Sequence, residues 1–123
     1  MRALLIDDSR AVRVIIRNIL LEMGMEVVEA GNGREALEQL RQNPDAELVL
    51  VDWNMPVMNG LDFIRVVRAQ RSYDAVRIVM VTTETESEQV CRALNAGANE
   101  YVMKPFNREV LVAKLNMLDV FGE

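Results

Sequence analysis

The chain has 123 residues, half of them apolar and about a quarter charged, which suits one soluble globular domain with a real core and is too short for two. The net charge is -5, the only lysines are Lys104 and Lys114, and the arginines are scattered, so the clustered basic surface that a nucleic acid demands is excluded. A single cysteine, Cys91, and no histidine rule out an intrachain disulfide, a thiolate or imidazole zinc site, and any Ser-His or Cys-His dyad.

In chain order, Ala3-Leu4-Leu5-Ile6 reads as a first strand, closed by Asp7-Asp8. Ser9 can cap a helix with Val12, Ile15, Ile16, Ile19, Leu20 and Met23 at helical spacing, and Gly24 supplies its stop. Glu26–Ala30 is a short second strand. Gly31-Asn32-Gly33 turns it into a helix with Ala36, Leu37 and Leu40 on one face, ended by Asn43-Pro44. The third strand is the uninterrupted run Leu48-Val49-Leu50-Val51, which ends in Asp52. Continuous apolar runs of this kind fit strands buried on both faces.

A loop, Met55 to Gly60, leads to a helix from about Leu61 to Gln70. Trp53 and Met58 are expected at the rim with partial exposure. Ile78 to Val81 is the fourth strand, ending in Thr82-Thr83, and the polar segment Glu84 to Glu88 opens a helix that runs to Gly97. On that helix Cys91, among Val90, Ala93 and Leu94, reads as a small packing residue. Tyr101-Val102-Met103 forms a fifth strand, followed by Lys104-Pro105-Phe106. Asn107 then caps a last helix with Val110, Leu111, Leu115 and Leu118 on its buried side. No signal peptide, lipidation motif or membrane-length apolar run is present, so a cytoplasmic protein without a membrane partner is expected.

Five strand-then-helix units imply an α/β domain: a doubly wound, five-stranded parallel sheet with right-handed crossovers. Residues 1–123 are expected to form one domain. In such a sheet the carboxyl ends of the strands share one edge, where ligands bind. Asp7-Asp8, Asp52, Thr82 and Lys104 all fall at that edge. Neighbouring carboxylates repel unless a cation compensates. Hard oxygen donors suit Mg²⁺, held by Asp7, Asp8 and Asp52 with the backbone carbonyl of Asn54. A carboxylate beside Mg²⁺ can attack phosphorus and form an aspartyl phosphate. Lys104, Thr82 and the metal could then neutralise the three equatorial oxygens.

The segments Leu5-Ile6-Asp7-Asp8-Ser9, Val51-Asp52-Trp53-Asn54-Met55-Pro56, Met80-Val81-Thr82 and Val102-Met103-Lys104-Pro105-Phe106 together resemble a response-regulator receiver domain of two-component signalling. The resemblance covers essentially the whole chain. It implies the (βα)5 flavodoxin-like order 2-1-3-4-5 known for this family. Asp52 would be the phosphoacceptor from a histidine kinase or phosphotransfer protein, Thr82 the switch hydroxyl, Lys104 the phosphate-contacting cation and Tyr101 the aromatic that follows the switch. The Lys104–Pro105 bond would be cis. Asn54, Thr83 and Glu84 would modulate the phosphoryl lifetime. Output would be a protein contact on the face of the fourth helix, fifth strand and fifth helix, including Tyr101 and Lys114.

Three other readings stand beside this one. A phosphatase of the haloacid-dehalogenase kind also forms an aspartyl phosphate, but wants an acid where Asn54 stands, and an amide cannot titrate. A flavodoxin-like FMN carrier would need a neutral, donor-rich loop in place of Asp7-Asp8. A receiver cut from a larger regulator is the third.

Overall fold

The computed structural model describes residues 1–83 and 87–118. These form β1 (Arg2–Ile6), α1 (Arg10–Glu22), β2 (Glu26–Ala30), α2 (Gly33–Gln42), β3 (Ala46–Asp52), α3 (Gly60–Arg68), a 3-10 turn (Arg71–Tyr73), β4 (Arg77–Thr82), α4 (Ser87–Ala96), β5 (Glu100–Met103) and α5 (Arg108–Asn116). The strands make one parallel sheet in the order β2-β1-β3-β4-β5.

Strand periodicity sorts the core into two layers, because successive side chains leave opposite faces. Leu4, Ile6, Val49, Val51, Ile78 and Met80 meet Ala36 and Leu40 of α2, Phe63, Ile64 and Val67 of α3, and Ala93 of α4. Ala3, Leu5, Leu48, Leu50, Val79 and Val81 face the other way, onto Ile16, Ile19 and Leu20 of α1 and Leu111 and Leu115 of α5. Side chains such as Phe63 and Leu50 are fully buried, each stabilising the fold by roughly 1.5–3 kcal/mol.

The helix starts follow local chemistry. The side-chain oxygens of Ser9, Asn32, Asn59 and Asn107 accept from the backbone N–H of Val12, Glu35, Asp62 and Val110, relieving orphan donors worth about 1 kcal/mol per cap. α4 stops at Gly97, whose φ of +120° lies where a side chain is rarely tolerated.

Four expectations are corrected. Ile15 and Val110 belong to the apolar patterns of α1 and α5, yet lie on the surface; each helix carries an apolar stripe wider than the sheet can cover. Cys91 is exposed, and Ala93 takes the packing position on α4. Trp53 is buried rather than partly exposed. Its N–H donates to the Val81 carbonyl at 3.1 Å, carrying the ladder one residue past β3, while its ring joins the layer under α2 and α3.

Candidate functional site: an acidic cluster at the carboxyl edge

Strand register alone brings the key residues together. Ile6 pairs with Val51, so Asp7 and Asp52 leave their strands side by side. Asp52 pairs with Val81, and Thr82 with Met103. Lys104 follows directly, its N–H donating to the Thr82 carbonyl at 2.7 Å. The Lys104–Pro105 bond is cis.

Carboxylate oxygens of Asp7, Asp8 and Asp52 all lie within 4.8 Å of one another. Asp7 and Asp52 are buried and Asp8 is exposed. The Lys104 ammonium sits between the buried pair, 2.9 Å from Asp7 Oδ2 and 3.4 Å from Asp52 Oδ1. The Ser9 N–H donates to the other Asp7 oxygen at 2.8 Å. Thr82 is buried, whereas Asn54 and Thr83 are exposed. Thr83 shares the wall of a groove of about 430 Å³ with Lys104, Pro105, Phe106 and Ile15. Glu84 lies outside the described residues.

The electrostatics follow from this crowding. Burial, and then the negative charge of Asp7, push the Asp52 carboxyl up to about 6, against the pull of Lys104. Burial works against the Lys104 ammonium, but the hydrogen bond to Asp7 and the charges of Asp52 and Asp7 outweigh it and hold Lys104 above its ordinary value. One lysine against three carboxylates leaves negative charge uncompensated. All the donors are hard oxygens, and the exposed Asp8 leaves one side open, a set that fits a divalent cation of the Mg²⁺ type.

The loop after Asp52 is held by close backbone approach. A Cβ on Gly60 would fall 2.3 Å from the Asp52 carbonyl oxygen, and the Gly60 N–H donates to the Trp53 carbonyl at 3.0 Å. Met58 lies against Gly33, where a Cβ would meet its atoms at 2.8 Å. Just before Met58, Val57 takes a φ of +70° with its side chain in solvent. Motif reading did not single out Gly60 as a support of Asp52; its place at the start of a helix, eight residues after the acid, was the available signal.

A doubly wound sheet with clustered acids, a hydroxyl and a lysine at its carboxyl edge defines a class, and the family description "Response regulator receiver domain" matches residues 3–116. The chain belongs to the response regulator receiver domain family. It is 46% identical over 123 residues to a "Chemotaxis protein CheY homolog" of Campylobacter jejuni, covering 99% of this chain and 93% of that protein. To "Chemotaxis protein CheY1" of Helicobacter pylori it is 45% identical over 119 residues, 96% of each. Among solved structures, the chemotaxis response regulator CheY4 of Vibrio cholerae superposes with a TM-score of 0.88 at 37% identity, over 94% of this chain and 96% of that one. The phosphatase and FMN-carrier readings are not favoured. Among the described residues no helix is long and apolar enough to cross a membrane.

Proposed function

We propose that this response regulator accepts a phosphoryl group on Asp52 from the phosphohistidine of a partner kinase or phosphotransfer protein. The observation that carries this reading is the meeting of three carboxylates within 4.8 Å around a lysine. Asp7, Asp8 and Asp52, with the Asn54 carbonyl, are the residues that would hold Mg²⁺. Bound there, the ion supplies positive charge against the incoming phosphoryl oxygens.

An Asp52 oxygen attacks phosphorus as the N–P bond of the donor breaks, and the electron pair leaves with the imidazole, which takes up a proton. Lys104 already reaches Asp52 and so can follow the transferred group as a compact point charge. Thr82, one residue beyond the pairing partner of Asp52, supplies the hydroxyl for a second oxygen. Thr83 and Asn54 stand exposed beside the site, where they would tune access of donors and water. Glu84 is assigned the same modulating role from the family resemblance alone.

Output is assigned to the face of α4, β5 and α5. There the Lys114 ammonium lies 4.4 Å from the Tyr101 ring centroid and 3.2 Å from Glu100 Oε1. Tyr101 is half-buried against the core layer that holds Met80 of β4, two residues before Thr82. A shift of Thr82 toward a phosphoryl group can therefore be felt at this aromatic. The partner would be a protein, in a pathway of the chemotaxis type that the names of the relatives carry.

The test is incubation with Mg²⁺ and a small phosphodonor, followed by intact mass. Wild type should gain one phosphoryl group and Asp52→Asn none. Equal labelling of the two would overturn the assignment of Asp52.

A further inference from the structure

The Asp8 carboxylate makes no hydrogen bond of its own among the described residues. Its position is set by the backbone, and above all by the plane of the Asp7–Asp8 peptide. That plane is held from outside the acidic cluster. Arg13 Nη1 donates to the Asp7 main-chain carbonyl, the oxygen of the peptide that carries Asp8. One peptide earlier, the Asp7 N–H donates to the Ala30 carbonyl at 3.2 Å, tying the Ile6–Asp7 peptide to the end of β2.

Arg13 is itself fixed. Its Nε donates to Glu29 Oε1 at 3.0 Å, and Arg17 Nη1 meets the other Glu29 oxygen at 3.1 Å. The Arg13 side chain is only 19% exposed and that of Glu29 28%. A planar guanidinium can donate in two fixed directions at once, which a lysine cannot. One fork prong therefore holds the carboxylate on β2, while the other holds the carbonyl between the two acids.

We infer that Arg13, locked by Glu29, is a positioning residue for the cation site, orienting the Asp7–Asp8 peptide so that the Asp8 carboxylate faces Asp7 and Asp52. The inference rests on the assignment of a divalent cation to those three acids. It makes β2, an edge strand that contributes no site residue, part of the support of the site. Partners that orient ligands from behind are worth about ten- to hundredfold in metal affinity.

The experiment is a Mg²⁺ titration followed by the fluorescence of Trp53, the only tryptophan and the neighbour of Asp52, alongside amide spectra of the metal-free protein. Arg13→Met should weaken Mg²⁺ about tenfold or more and shift the Asp8 amide resonance before any metal is added. Arg13→Lys should recover part of the affinity. Arg17→Met loses the other ion pair to Glu29 without touching the peptide, and should leave both readouts at wild-type values. Should Arg13→Met fail to fold, Arg13→Lys and Glu29→Gln carry the test, each expected to weaken Mg²⁺ several-fold.

Wild-type affinity and an unmoved Asp8 amide in the folded Arg13 variants would overturn the inference. Equal losses in Arg13→Met and Arg17→Met would overturn it too, showing a general effect of the ion pairs. Failure of the cation assignment has a different signature: no Mg²⁺ response in wild type, or wild-type affinity in Asp8→Asn.

Discussion

Replacing Asp52 by asparagine should make the metal-free protein more stable. The carboxyl is buried, with 9% of its side chain exposed, and is pushed up from 3.8 to about 6 in the folded state. Between these values the folded protein binds more protons than the unfolded chain, so stability falls as pH rises through this window. Above it the penalty is complete: about two pKa units, or about 3 kcal/mol. The attraction of Lys104 is already included in the net shift. Asparagine keeps the shape and loses the charge, though its amide needs a hydrogen-bond partner, so a gain of about 1–3 kcal/mol is expected near pH 7.5. Urea unfolding in the presence of a chelator measures it. The advantage should shrink toward zero near pH 4 as wild-type Asp52 protonates. Saturating Mg²⁺ should raise the stability of wild type more than that of the variant, because a ligand bound only by the folded state stabilises it. A variant no more stable than wild type in chelator at neutral pH, or an advantage that grows with acid, would refute the reasoning.

Three further outcomes follow from the loop and the groove. Val57 holds φ at +70° with its side chain 73% exposed, a conformation that β-branched residues resist and asparagine tolerates; Val57→Asn should raise stability by about 0.5–1 kcal/mol, read as a shift in urea midpoint. Gly60→Ala drives a Cβ into the Asp52 carbonyl; it should cost about 1–3 kcal/mol and weaken Mg²⁺ binding, and a loss of stability alone would mean that Asp52 had not moved. Thr83→Ala opens the groove wall beside Lys104. Stopped-flow Trp53 fluorescence should show faster phosphorylation and faster loss of the phosphoryl group; roughly tenfold corresponds to a barrier change of about 1.4 kcal/mol. Slower loss would mean that the hydroxyl positions the attacking water.

The primary structure by itself determined the order of elements and the chemistry at one edge. Four short runs of apolar residues, each ended by an acid, a threonine or a lysine, suffice for this, because parallel strands must present their carboxyl ends together. Two caps were equally legible, Ser9 and Asn107; Asn32 and Asn59, read only as turn and loop residues, cap α2 and α3 by the same local chemistry. Tertiary structure decided what depends on neighbours distant in the chain. Whether Ile15 and Val110 were covered depended on how far the sheet extends beneath α1 and α5. Trp53 was drawn inside because the β4 ladder continued one residue past Asp52. Arg68 reads as a surface helix residue, yet it gives hydrogen bonds to the carbonyls of Gly97, Tyr73 and Val76 and to Asn99, tying α3 to the starts of β4 and β5. Arg13 and Glu29 are sixteen residues apart on different elements, and no periodicity pairs them. Apolar burial leaves a repeating imprint along the chain because it is non-directional and follows the period of each element. A hydrogen bond between remote groups depends on a direction in space, which exists only once the sheet has formed.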